Sequence, residues 1–108
     1  MLNLVYFADP MCSWCYGFGP QLATLLERVS GRQPVNLELV MGGLRAYNTV
    51  VMDDTSKTVL LEHWTHVREA SGLPFGDAAI HAHGFVYDTE PACRAVICAR
   101  LLDGRVAL

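Results

Sequence analysis

The chain has 108 residues, a length that allows one small domain at most. Hydrophobic residues make up 52% of it and charged residues 18%, so it has the material for a core and is not a disordered polyampholyte. A net charge of −3 with no basic cluster argues against a nucleic-acid partner.

The first seven residues after Met1, Leu2-Asn3-Leu4-Val5-Tyr6-Phe7-Ala8, are short, apolar and aromatic, and predict a buried strand that Asp9-Pro10 breaks. This opening has no basic region and is too short for a signal peptide, and no stretch in the chain is long enough to span a membrane. A cytoplasmic address with no membrane partner is expected. There cysteines are mostly reduced, and a CxxC reads as catalytic or metal-binding rather than as a structural staple.

From Ser13 to Ser30 the period changes to that of a helix. Phe18, Leu22, Leu25, Leu26 and Val29 fall on one apolar face and are expected in the core. Gly17, Gly19 and Pro20 in its first turns predict a kink, and Gly31 supplies a stop. Val35-Asn36-Leu37-Glu38-Leu39-Val40-Met41 is the second strand, ended by Gly42-Gly43, which reads as a turn because no phosphate-loop pattern follows. Strand, helix and strand of these lengths predict a right-handed βαβ unit with parallel strands. Residues 44–54 read as a loop. A helix is predicted over about 55–70, with Leu60, Trp64 (or His63) and Val67 on one face and Gly72 and Pro74 after it. Within 75–87 a short helix around 77–81 is expected, then a turn. Asp88-Thr89-Glu90-Pro91 opens a last helix with a capping side chain, an acid and a proline, and Gly104 closes it after about Asp103. The chain thus divides into a βαβ segment over 1–45 and a helical segment over 46–108.

Cys12-Ser13-Trp14-Cys15 lies between the first strand and the first helix. A cysteine that opens a helix sits among unpaired backbone N–H groups at the positive end of the dipole, which stabilises its thiolate. A second cysteine one turn further in is near enough to close a disulfide or to attack a mixed one. Cys12 is therefore expected to have the lower pKa and Cys15 to be the more buried. Ser13-Trp14 adds no positive charge, so the depression is smaller than a histidine there gives. The competing readings are a metal site and two buried cysteines that meet by chance.

Asp9-Pro10-Met11-Cys12-Ser13-Trp14-Cys15-Tyr16-Gly17-Phe18-Gly19-Pro20 strongly resembles the DsbA-like thioredoxin superfamily, and within it the cytosolic FrnE-type branch. Two further stretches agree with it, Met41-Gly42-Gly43-Leu44-Arg45 and Asp88-Thr89-Glu90-Pro91-Ala92-Cys93-Arg94-Ala95-Val96. The resemblance implies a thioredoxin-like α/β fold whose 46–108 segment is an all-helical insert. It implies thiol–disulfide oxidoreductase or disulfide isomerase chemistry, with Cys12 as nucleophile and Cys15 as resolving thiol. In that family a further half follows the insert, with two antiparallel strands, a helix and a cis-proline facing the dithiol. No proline here follows the helical region, so the C-terminal ββα half is read as lacking. The first strand then has an open apolar edge, which predicts self-association or a homo-oligomer.

Other residues have plainer readings. Cys93 and Cys98 are about 140° apart on a helix and read as small core-facing residues. His81 and His83 form an HxH that joins Cys12 and Cys15 in a zinc site only as a weak alternative. His63 and His66 read as a surface or interhelix pair. Asp9 reads as a turn or capping residue before Pro10, with a proton relay to Cys15 as the alternative. Trp14 and Tyr16 either form a substrate-binding surface beside the thiols or pack internally.

The resulting expectation is an oxidoreductase acting on protein or small-molecule disulfides, reset by glutathione or a reductase, with no metal or other cofactor. The alternative is a non-catalytic half-domain used in assembly or binding. A glutathione-transferase relative of the kappa class ranks lower, because such proteins generally carry Ser at the position of Cys12.

Overall fold

The structure is a computed structural model and describes residues 1–103. Strand β1 (Leu2–Ala8), helix α1 (Ser13–Ser30) and strand β2 (Val35–Met41) form the βαβ unit, followed by helices α2 (Asp54–Ser71) and α3 (Glu90–Leu102). The two strands are parallel, paired from Leu2 with Val35 to Ala8 with Met41. They form a two-stranded sheet with no third strand among the described residues. The fold is α/β, as read from the sequence. The proposed stop at Gly104, and the end of the 46–108 segment, lie outside the described residues.

β1 is not buried on both faces. Leu2, Leu4 and Tyr6 turn inward and Ala8 is fully buried, whereas Val5 is 53% and Phe7 69% exposed. Side chains alternate across a strand, and α1 packs on one face only. The same geometry corrects the expected core of α1. Leu22, Leu26 and Val29 are half-buried, but Phe18 and Leu25 stay exposed. Phe18 keeps a tilted ring contact with Tyr6 at 6.5 Å. Pro20, which lacks an N–H to donate, lies inside α1 without dividing it.

α2 crosses α1 where α1 has no side chain. Gly17 is the one fully buried residue of α1, and Val67 of α2 is fully buried against it. A Cβ built on Gly17 would lie 2.9 Å from Val67 Cγ1 and 3.5 Å from Ser71 Cβ. α2 is bounded as its sequence requires: the Asp53 carboxylate accepts from Ser56 N at 2.8 Å, and Gly72 takes a left-handed φ of 71°. Trp64, not His63, faces inward, and its ring meets Phe75 at 6.2 Å.

The expected helix at 77–81 is a turn. One i,i+4 contact, His81 Nε2 to Asp77 Oδ2 at 3.1 Å, is too little to propagate a helix on an exposed segment. Within the turn only Ile80 is fully buried. The loop after β2 is tied back by an antiparallel bridge between Val51 and Val86. α3 starts as expected, but the cap differs. Thr89 makes no capping hydrogen bond, and the Asp88 carboxylate accepts from Glu90 N at 3.0 Å instead. Cys93 is buried on α3, whereas Cys98 is exposed, because the two point to different sides of the helix.

The Gly17–Val67 contact yields a test. Gly17→Ala gains helix propensity but forces a methyl into a stiff β-branched neighbour. We expect a net loss of about 1–2 kcal/mol in urea unfolding, recovered in part by Val67→Ala in the double variant.

Candidate active site

Asp9-Pro10 builds the turn that presents the dithiol. Cys12 N donates to Asp9 O at 3.0 Å, and Met11 N donates to Asp9 Oδ1 at 2.8 Å. This is an Asx turn with proline at its second position. Asp9 therefore serves as the turn residue.

The Asp9 carboxylate does more than shape the turn. It is 2% exposed, and its second oxygen accepts from Leu44 N at 2.9 Å and from Cys93 Sγ at 3.5 Å. One buried acceptor thus joins the end of β1, the loop after β2 and α3. Next to it, Arg45 N donates to the hydroxyl of the fully buried Thr89 at 3.1 Å. The three stretches that carry the family resemblance meet here. No buried side-chain N or O among the described residues lacks a partner.

Cys12 occupies the N-cap position of α1 with extended backbone (φ −80°, ψ 120°), and its thiol makes no capping hydrogen bond. Cys15 lies in the first turn, and both thiols are free and half-buried. They lie within hydrogen-bonding reach of each other. Burial pushes the Cys15 thiol pKa up; the Asp9 backbone N–H works against this, while Cys12 and the Asp9 carboxylate add to it. The Tyr6 hydroxyl reaches Cys15 from beneath and is itself raised, first by burial and then by the two sulfurs.

Trp14 is exposed, with the edge of His63 against its ring at 6.3 Å. Tyr16 is also exposed, but its hydroxyl donates to Pro74 O at 2.7 Å and its ring meets Phe75 edge-on at 5.1 Å. Both side chains therefore pack as well as face solvent. His81 and His83 are exposed on the 78–84 turn region, and among the described residues no group of three or more His, Cys, Asp or Glu could hold a metal. His63 supplies an interhelix contact to α1, and His66 is exposed.

Two residues near the dithiol escaped the sequence reading. Tyr87 is buried; its hydroxyl donates to Met11 O, and Asn48 Nδ2 donates to its carbonyl at 3.1 Å. The Arg45 guanidinium lies 5.1 Å from the centre of its ring. Tyr87 falls in a segment without clear periodicity. The available signal was Arg45 in the Met41–Arg45 stretch, whose role the pattern alone did not reveal.

No family model and no curated protein matches the chain. Two solved structures do. A candidate protein disulfide isomerase from Nitrosomonas europaea is 33% identical, with a TM-score of 0.80, over 96% of this chain and 48% of that one. The cytosolic disulfide reductase DsbM from Pseudomonas aeruginosa, solved with glutathione, is 29% identical, with a TM-score of 0.71, over 95% of this chain and 48% of that one. This is a thioredoxin-like α/β chain. More particularly, its fold is DsbA-like and resembles that of disulfide oxidoreductases. It spans about half the length of the solved chains it matches.

Two measurements check this geometry. Asp9→Asn replaces one acceptor oxygen by a donor facing N–H or S–H groups. It is expected to cost about 2–3 kcal/mol in urea unfolding, the penalty of leaving buried donors unpaired. Cys15, Cys93, Tyr6 and Tyr87 all have raised pKa values, with burial the leading cause in each. Each holds its proton more tightly folded than unfolded, so their contribution is complete below the ordinary thiol pKa and lost as pH rises through the folded values. Melting temperature is expected to be flat through neutral pH and to fall above about pH 8.5, less steeply in Cys15→Ala.

Proposed function

We propose that this chain exchanges thiols with disulfides through Cys12 and Cys15. The observation that carries the reading is the mounting of the two sulfurs: Cys12 at the start of α1, just after β1 ends, and Cys15 within hydrogen-bonding reach of it. The resemblance to a candidate disulfide isomerase and to a disulfide reductase supports the same chemistry.

In the reducing direction the Cys12 thiolate attacks one sulfur of a substrate disulfide. A Cys12–substrate disulfide forms, and the other substrate sulfur leaves as a thiolate. Cys15 thiolate then attacks Cys12 Sγ, the second substrate sulfur leaves, and a Cys12–Cys15 disulfide remains. Two electrons pass to the substrate, and the two protons of the dithiol end on the released thiols. The reverse sequence oxidises a dithiol, and isomerisation needs the first attack followed by displacement of Cys12 by a different substrate thiolate, which forms a new substrate disulfide and releases the Cys12 thiolate. Part of the rise in the Cys15 pKa comes from Cys12. Capping Cys12 with substrate removes its charge, so Cys15 loses its proton more easily at the step where it acts.

In this reading residues 1–45 carry the chemistry, and the helical insert that begins at 46 covers it with its described residues, 46–103. Exposed Trp14 meets the substrate, and Tyr16, tethered to Pro74, borders it. Glutathione or a partner reductase resets the pair in the cytoplasm, a reading supported by the cytosolic neighbour solved with glutathione. No helix among the described residues is long and apolar enough to cross a membrane. A second reading, assembly or binding without turnover, is favoured by exposed Val5 and Phe7 on a strand whose outer edge pairs with no strand among the described residues, where another copy can pair.

An insulin-reduction assay with dithiothreitol separates the two. Turnover in the wild type, abolished in Cys12→Ser, is expected. Cys15→Ser is expected to accumulate the Cys12 mixed disulfide, visible as a mass increment. No turnover in the wild type supports the assembly reading.

A further inference from the structure

Arg45 is a cation with a fixed backbone and an uncommitted head. Its N–H is anchored on Thr89 Oγ1, its side chain is exposed, and its guanidinium lies over the Tyr87 ring. The buried Tyr87 donates its hydroxyl to Met11 O, the carbonyl adjoining Cys12. One phenol therefore links a positioned guanidinium to the leading cysteine. Burial is the main cause of the raised Tyr87 pKa; Cys12 adds to it and Arg45 opposes it, as opposite charges near one phenol do.

The acids in this region take other partners than Arg45. The Asp9 carboxylate is occupied by Met11, Leu44 and Cys93. Asp88 Oδ1 accepts from Tyr47 N and Glu90 N, both at 3.0 Å. Glu90 is paired with Arg94 at 3.2 Å. Arg45 has no ion pair among the described residues. The first turn of α1 adds partial positive charge at Cys12. In a chain of net charge −3, the unpaired Arg45 guanidinium sets a side-chain cation over the Tyr87 ring, whose hydroxyl reaches the residue before Cys12.

We propose that Arg45 is the specificity-determining residue of the dithiol and selects small disulfides bearing carboxylates. The inference rests on the exchange reading above and names the substrate class. The guanidinium is a planar fork of N–H donors that matches a carboxylate, and it undergoes no chemical change in the reaction. With oxidised glutathione as the probe, Cys12 thiolate displaces one glutathione thiolate and holds the other half as a mixed disulfide. Cys15 then releases that half as the second thiolate. Arg45 pairs with a carboxylate during the first attack, raising the rate of productive encounter.

The test has a kinetic and a binding arm. The kinetic readout is the ratio of kcat/KM on oxidised glutathione to kcat/KM on neutral 2-hydroxyethyl disulfide. Arg45→Gln is expected to lower this ratio about two- to fivefold, the range of an exposed charge pair, and Arg45→Lys to restore part of it. Added salt is expected to lower the wild-type ratio and leave that of Arg45→Gln flat. The binding arm titrates S-methylglutathione, which cannot exchange, against wild type and Arg45→Gln by the NMR shift of the Trp14 indole. Weaker binding of the variant is expected, and weaker binding of the esterified ligand to wild type. An unchanged ratio, or wild-type binding that is absent or indifferent to esterification, overturns the proposal. If no disulfide is turned over, the exchange reading fails, and the binding arm still decides the role of Arg45.

Discussion

One buried carboxylate organises this molecule. Asp9 is almost wholly removed from water and accepts from two backbone N–H groups and one thiol. Burying a carboxylate is costly unless donors replace its lost hydration. The donors come from the turn before Cys12, the loop after β2, and α3. Any rearrangement of those three elements strands a donor or the acceptor, so their mutual placement is held by a penalty against departure rather than by a large apolar interface.

The dithiol inherits its surroundings from that arrangement. The Asx turn fixes Met11 and delivers Cys12 to the start of α1, and the Tyr87 hydroxyl holds the Met11 carbonyl from the side of α3. Tyr6 comes up from the sheet to Cys15, and Gly17 lets α2 close over the same end of α1. The consequence is chemical asymmetry. Cys12 leads at the helix start, while Cys15 sits where burial and neighbouring acidic groups favour its protonated form. In the exchange proposed above, that order suits a nucleophile followed by a resolving thiol.

The sheet is where the fold is least enclosed. α1 covers one face of β1 and β2, and Val5 and Phe7 project from the other. A two-stranded parallel sheet draws little stability from its own pairing. The helices and the Asp9 network accordingly bear more of the structure here than the strands do. Phe18 and Leu25 share the apolar face of α1 by spacing yet stay exposed, although Phe18 keeps its ring contact with Tyr6 of the sheet.

Local chemistry was enough to read several elements. The change from strand to helical period at Ser13, the glycine stop after Ser71 and the proline-led start of α3 depend only on neighbours a few residues away. The CxxC between a strand and a helix was legible for the same reason. Burial was not, because period tells which residues share a face but not whether anything packs on it. Phe7, Phe18, Leu25 and Cys98 show this. Nor did spacing reveal that Asp9 accepts from Leu44 and Cys93, or that Arg45 and Tyr87 stand near Cys12. Those partners lie tens of residues apart, and only the folded chain brings them within the few ångströms over which hydrogen bonds and charge act.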